Sequence, residues 1–205
     1  MSEEKEIKVV LVGDAGVGKT NLIRVATGEE FNPNSSSTDA NSYSEGQIVI
    51  KEKKYNYCLW DTAGQEKYLS MNKLFIKNSK IVLIVFSITS RESFEHIDFW
   101  NNYIKDSLVE GNYIVALVGN KSDLYEDDKA LENEEMQNKA KSLGFKFKIT
   151  SAKTDAKGFK KFLDEILEDY IHKYFLGGSN RSTSFKINSK NNKDNKDNKD
   201  GKKCC

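Results

Sequence analysis

Along the chain, apolar residues fall into two rhythms. Near-continuous apolar runs occupy residues 7–12 (IKVVLV), 81–88 (IVLIVFSI) and 113–118 (YIVALV). Runs this short and this apolar predict strands buried on both faces, as in a parallel sheet. Residues 43–50 and 55–60 flank a polar KEKK and predict a hairpin, while 145–150 predict a last short strand. Elsewhere the apolar positions step by three and four. Phe94, Ile97, Phe99, Trp100, Ile104 and Leu108 predict one helix over 90–108, with Ser90 as its N-cap. Phe159, Phe162, Leu163, Ile166, Leu167, Tyr170, Ile171 and Tyr174 predict the final helix. Residues 20–27, closed by Gly28, and 132–143 supply two more. Residues 29–42 are polar, contain Pro33 and show no period, so they read as loop. Strands alternating with helices predict a three-layer α/β sandwich with right-handed crossovers. Ligands in such a fold sit beyond the carboxyl ends of the strands.

Charge changes the picture of the C-terminal part. The whole chain of 205 residues has a formal net charge of +1. Residues 179–205 hold eight basic and three acidic side chains, which leaves residues 1–178 at −4. The segment repeats N-K-D three times and offers only Phe185 and Ile187 as sizeable apolar groups. It cannot offset its ordering entropy, so one domain over 1–178 and a disordered basic tail over 179–205 are expected. Taken at face value, the overall balance of +1 argues against a nucleic-acid partner. No apolar run approaches the roughly 20 residues of a membrane span. The start, MSEEKEIK, lacks an apolar signal core, so a chain on the cytosolic side is expected. Three cysteines make no disulfide framework.

The strand-end loops carry the chemistry. After the first strand comes Gly13-Asp14-Ala15-Gly16-Val17-Gly18-Lys19-Thr20, a complete G-x-x-x-x-G-K-[ST]. Its glycines let successive backbone N–H groups converge on phosphate oxygens at a helix N-terminus. Lys19 can reach the β- and γ-phosphates, and the Thr20 hydroxyl can ligate Mg²⁺. This loop does not choose between ATP and GTP. Asn120-Lys121-Ser122-Asp123 does. Guanine presents N1–H and a 2-amino group side by side, and the Asp123 carboxylate accepts both. Adenine offers neither, and an unpaired buried charge costs several kcal/mol. Asn120 can tie this loop to the phosphate loop, and the Lys121 stem can lie over the base. In Trp60-Asp61-Thr62-Ala63-Gly64-Gln65-Glu66, Asp61 is a carboxylate placed for Mg²⁺. Gly64 can offer its N–H to the γ-phosphate, and Gln65 can orient an attacking water.

GDAGVGKT, WDTAGQE, NKSD and Ser151-Ala152-Lys153 occur in the order and spacing of the Ras superfamily of small GTPases, which residues 7–176 resemble. WDTAGQEKY and the terminal Cys204-Cys205 look most like the Rab branch, which works in vesicle traffic. The resemblance implies a P-loop small G domain with a six-stranded, mostly parallel sheet, one antiparallel strand and about five helices. It implies GTP/GDP and Mg²⁺ as ligands, with Thr20, Thr38 and Asp61 around the metal. Gln65 and Lys19 would be catalytic, Phe31 would pack on the base, and Ala152 and Lys153 would contact guanine. Tyr43, Trp60 and Phe75 match an aromatic trio read by effectors, although hairpin and helix core is the plainer reading of the same residues. An exchange factor, an activating protein and effectors, meeting residues 38–43, Trp60 and 65–75, are the implied partners of a monomer.

Some positions depart from the family. Ser37-Thr38-Asp39-Ala40 stands where it has S-T-I-G, and residues 67–71 and 74–77 differ too. These changes bear on partners rather than on nucleotide. Ala15 puts a methyl beside the γ-phosphate, where it crowds a catalytic arginine or Gln65, so slow intrinsic hydrolysis is expected. No switch-region arginine is placed as an internal finger. An external activating protein is the expected source of that charge, worth roughly 10³–10⁵ in rate. A GTP-binding effector module with negligible hydrolysis and an ATP-dependent P-loop enzyme are the competing readings. By chemistry alone, Cys204-Cys205 reads as a redox-active pair or a metal ligand. By resemblance it is the double-cysteine terminus that the prenylation machinery modifies with two geranylgeranyl groups, and it is not a CaaX box. Two chains anchor stably, at about 0.8 kcal/mol per buried CH₂. The tail lysines add attraction to anionic lipid, weakened by the interleaved aspartates. The expected location is the cytoplasmic face of an intracellular membrane, with a cytosolic pool. Cys58, inside a strand, reads as core.

Overall fold

The computed structural model describes residues 6–35, 42–62, 75–126 and 130–176. Six strands form one sheet: β1 (Ile7–Val12), β2 (Ser42–Ile50), β3 (Lys53–Asp61), β4 (Ile81–Ser87), β5 (Ile114–Asn120) and β6 (Lys146–Ile149). Their order is β2-β3-β1-β4-β5-β6. Every neighbouring pair is parallel except β2 with β3. Among the described residues the helices are α1 (Lys19–Ala26), α2 (Arg91–Glu95), α3 (Ile97–Ser107), α4 (Asn133–Leu143) and α5 (Ala156–Ile171). The expected mostly parallel sheet with one antiparallel strand is what forms.

Strand alternation explains the two layers of core. In β1, Ile7, Val9 and Leu11 face α1 and α5, while Val10 and Val12 face α2–α4. In β4, Ile81, Leu83 and Val85 join the first core, and Val82, Ile84 and Phe86 the second. All seven β4 residues are buried, because helices cover both faces. On α5, Phe159, Phe162, Leu163, Ile166, Leu167, Tyr170 and Ile171 are buried at the predicted spacing. Asp155 caps that helix by accepting from the Gly158 N–H at 3.1 Å.

Three local expectations change. The hairpin turn is two residues rather than KEKK, since Lys53 pairs with Ile50 and Lys54 with Val49. Lys51 (φ 48°) and Glu52 (φ 64°) both take the left-handed conformation of a type I′ turn, whose twist matches the strands it joins. The helix expected over 90–108 is two, broken at His96 (ψ −3°), with Ser90 capping the first through the Ser93 N–H at 3.2 Å. Phe99 lies 45% exposed, and Tyr103 takes its place in the buried stripe. β5 also runs on to Asn120, because its ladder with β4 continues to the pair Ser87 and Asn120. Cys58 is core as expected, and burial pushes its thiol up to about 11. Thr38, Gly64, Gln65 and the segment from 177 to Cys204 and Cys205 lie outside the described residues, so the expected tail does too.

Leu163 is fully buried between α5 and the sheet. Leu163→Ala should lower the unfolding free energy by about 2–5 kcal/mol. On the opposite face, Glu165→Ala should shift it by no more than about 0.5 kcal/mol. Urea denaturation of the nucleotide-bound protein reads both.

Candidate functional site

The loop after β1, the start of α1, the carboxyl end of β5 and the loop after β6 converge on one cavity of about 480 Å³. The loop after β1 turns at Gly13, where any side chain would press into the Val85 carbonyl. It ends at Gly18 (φ 97°), the N-cap of α1, which brings no side chain to the first helical N–H groups. The positive end of the helix dipole at this point suits an anion. Lys19 is buried, and its Nζ donates to the carbonyls of Gly13 and Asp14, both at 2.8 Å. Burial pulls its pKa down to about 8, against the opposing pull of the Asp61 and Asp14 carboxylates. A phosphate beside it would restore the full charge.

Thr20 and Asp61 meet at the same mouth. The Thr20 hydroxyl donates to Asp61 Oδ2 at 2.7 Å, across from α1 to the end of β3. Thr62 pins the backbone there by donating to the Leu11 carbonyl at 2.7 Å. A hydroxyl and a carboxylate are hard oxygen donors. They suit an ion that takes one or two protein ligands and fills its octahedron with phosphate oxygens and water, as Mg²⁺ does.

The far side of the cavity is built around Asn120, which is 2% exposed. Its Nδ2 donates to the Val17 carbonyl at 2.9 Å, and its Oδ1 accepts from the Ala152 N–H at 3.1 Å. One amide thus joins the phosphate loop to the loop after β6. Ser151 donates to Asp123 Oδ1 at 2.6 Å and accepts from the N–H groups of Lys153 and Thr154, both at 3.1 Å. The carboxylate is thereby aimed from a fixed loop, with Lys121, Lys153 and Phe31 lining the same space. The cavity's length runs from a helix N-terminus to an oriented carboxylate, which suits a phosphate at one end and a base with adjacent donors at the other.

Of the residues expected here, Ala15, Gly16, Gly18, Lys19, Thr20, Phe31, Asn120, Lys121, Asp123, Ser151, Ala152 and Lys153 line the cavity. Gly13 and Val17 serve it through their carbonyls. Asp14 is different: its side chain turns away to His96 and Trp100 of the α2–α3 region. Asn21 was not anticipated. It lines the cavity, donates to the Asn32 carbonyl at 3.0 Å and accepts from the Asn32 N–H at 2.9 Å. That pair anchors the loop carrying Phe31, and a polar residue on the buried side of α1 was its only signal in the sequence. The aromatic trio does assemble. Tyr43 stacks on Trp60 with centroids 5.3 Å apart, Trp60 meets Phe75 at 5.7 Å, and Tyr43 is 58% exposed.

The Ras family model matches residues 8–172. GTP-binding protein ypt3 of Schizosaccharomyces pombe is 36% identical over 175 residues, covering 85% of this chain and 78% of the relative. Ras-related protein Rab11C of Nicotiana tabacum is 33% identical over 180 residues, covering 86% and 80%. Ras-related protein Rab-2B of Dictyostelium discoideum is 34% identical over 170 residues, covering 82% and 83%. With the phosphate loop, the oriented Asp123 and the shared cavity already in place, these matches show that the chain belongs to the Ras family of small GTPases, on its Rab branch.

Proposed function

We propose that this GTPase is a nucleotide-controlled switch in vesicle traffic, binding GTP or GDP along the cavity from Lys19 to Asp123. The observation that carries this reading is the joining of the phosphate end and the base end through Asn120. Phosphates lie against the loop 13–20, and guanine lies against Asp123, between Lys121 and Phe31. Thr20 and Asp61, with Thr38 from the segment outside the described residues, would hold Mg²⁺. When bound, that ion neutralises charge on the β- and γ-phosphates. Gln65 orients the attacking water, and Lys19 stabilises the charge that develops on the phosphoryl oxygens. The Ala15 methyl keeps intrinsic hydrolysis slow, so an activating protein supplies the acceleration. Loss of the γ-phosphate releases the Thr38 and Gln65 segments, and effectors reading Tyr43, Trp60 and Phe75 then see a different surface.

At the C-terminal end, Cys204 and Cys205 carry two geranylgeranyl groups added by the prenylation machinery. Among the described residues no helix is long and apolar enough to cross a membrane. Two lipid chains and the basic residues of 179–205 support attachment to the cytoplasmic face of an intracellular membrane, with an exchanging cytosolic pool.

Single-turnover hydrolysis tests the switch. Gln65→Leu should lower the rate stimulated by an activating protein at least about 10²-fold while GTP binding is retained, the size of a lost water-positioning group. Equal near-zero rates for wild type and variant, with the activating protein present, would contradict it. Fractionation tests the tether. Cys204→Ser/Cys205→Ser should move the full-length protein from the membrane pellet to the soluble fraction, and an unchanged pellet would exclude lipid anchoring at these cysteines.

A further inference from the structure

Asp14 sits inside the phosphate loop, yet its carboxylate faces away from the nucleotide cavity. Its Oδ1 accepts from Trp100 Nε1 at 2.9 Å. Its Oδ2 lies 2.7 Å from His96 Nδ1. A carboxylate only accepts, so Nδ1 of His96 carries the proton in this contact. These bonds span 86 and 82 residues of chain, and both partners come from the start of α3, His96 as its N-cap and Trp100 one turn on.

The two donors differ in rigidity. Trp100 is buried in the core, with edge-on contacts to Phe99 at 5.3 Å and Tyr103 at 6.0 Å. His96 has 48% of its side chain exposed. The grip thus has one fixed jaw and one movable jaw. What it holds is the segment against which Lys19 is set. Lys19 spends two of its three donors on the carbonyls of Gly13 and Asp14. The third is aimed by those two, so the position of residue 14 decides where the Lys19 charge points.

We propose that His96 and Trp100 are positioning residues for the phosphate loop: by gripping the Asp14 carboxylate they fix the Gly13 and Asp14 carbonyls that orient Lys19, and so slow the release of guanine nucleotide. The grip acts in a second way as well. It draws the negative charge of Asp14 onto two N–H donors on the side away from the phosphates, where a free carboxylate would repel them. α3 thereby becomes a part of the fold whose displacement loosens nucleotide without touching it.

This inference rests on residues 13–20 being the phosphate loop, and the experiment separates the two. Dissociation of a fluorescent GDP from the full-length, Mg²⁺-loaded protein is followed for His96→Ala, His96→Asn and Trp100→Phe. Each is made alone and in an Asp14→Ala background, and each is melted in parallel. His96→Ala and Trp100→Phe should each speed dissociation about tenfold, equivalent to about 1.4 kcal/mol. In the Asp14→Ala background neither should speed it further, although Trp100→Phe still lowers the melting temperature by loosening the core. His96→Asn, whose amide nitrogen nearly replaces Nδ1, should restore the wild-type rate. Unchanged rates in the single variants, the same acceleration with Asp14 already removed, or no rescue by asparagine would each overturn the proposal. Lys19→Ala provides the separate arm. GDP affinity retained there would overturn the phosphate-loop reading itself, whereas affinity lost there with unaltered rates in His96→Ala overturns only the grip.

Discussion

The amide of Asn120 is the contact on which the rest of the site depends. Nucleotide recognition needs two subsites held at a fixed separation, one for phosphate and one for base, and the bond from Asn120 to Val17 that joins them spans 103 residues of chain. Asn120 stands at the end of β5 with its side chain between them, donating to Val17 and accepting from Ala152. It is buried, so both bonds form away from water, and losing either partner leaves a polar group unsatisfied. Neighbouring residues are chosen around it. A side chain at Gly18 would press directly on Asn120 Nδ2, so the left-handed N-cap of α1 has to be glycine for reasons of space as well as conformation.

Around that amide the molecule divides into a frame and the parts it carries. The frame is the central sheet, buried on both faces by α1 and α5 on one side and α2–α4 on the other. The start of α1 and the ends of β3 and β5 deliver Lys19, Asp61 and Asn120 to one edge with little freedom of their own. The base loop is stiffened further by Ser151, which serves Asp123, Lys153 and Thr154 at once. Rigid placement of this kind is what lets a single carboxylate discriminate between bases. A switch also requires parts whose free energies lie close together in two arrangements, and the proposed ones, at Thr38 and Gln65, come before β2 and after β3 in the sequence.

How much of this was legible in the chain depends on the range of each interaction. The apolar runs of β1, β4 and β5 are local signals, and the structure follows them closely. GDAGVGKT and NKSD were legible because backbone reach and donor–acceptor chemistry constrain them within a few residues. Even the Asn120 bridge could be anticipated, since strand-end loops in this fold must face one another. Asp14 could not be placed, because its partners lie more than 80 residues away and nothing in its own neighbourhood says which way it turns. The break at His96 and the exposure of Phe99 were hidden likewise, since a three-four stripe reports a helix but not a tertiary pull on one of its turns. The two-residue hairpin defeats composition outright: Lys51 and Glu52 occupy positions that usually ask for Asn-Gly, and only the ladder on either side fixes the register.

The central claim is that phosphate loop and base loop act as one unit joined by Asn120 and specific for guanine. The most direct measurement is equilibrium competition of labelled GDP by GTP and by ATP, in wild type and in Asn120→Ala. Wild type should prefer GTP over ATP by at least about 10⁴-fold, the range reached when a site's buried polar groups are left unpaired by the wrong ligand. Asn120→Ala should weaken GDP binding by at least about tenfold, the scale of one buried hydrogen-bonding group lost. Comparable competition by ATP in wild type, or unaltered GDP affinity in Asn120→Ala, would contradict the account.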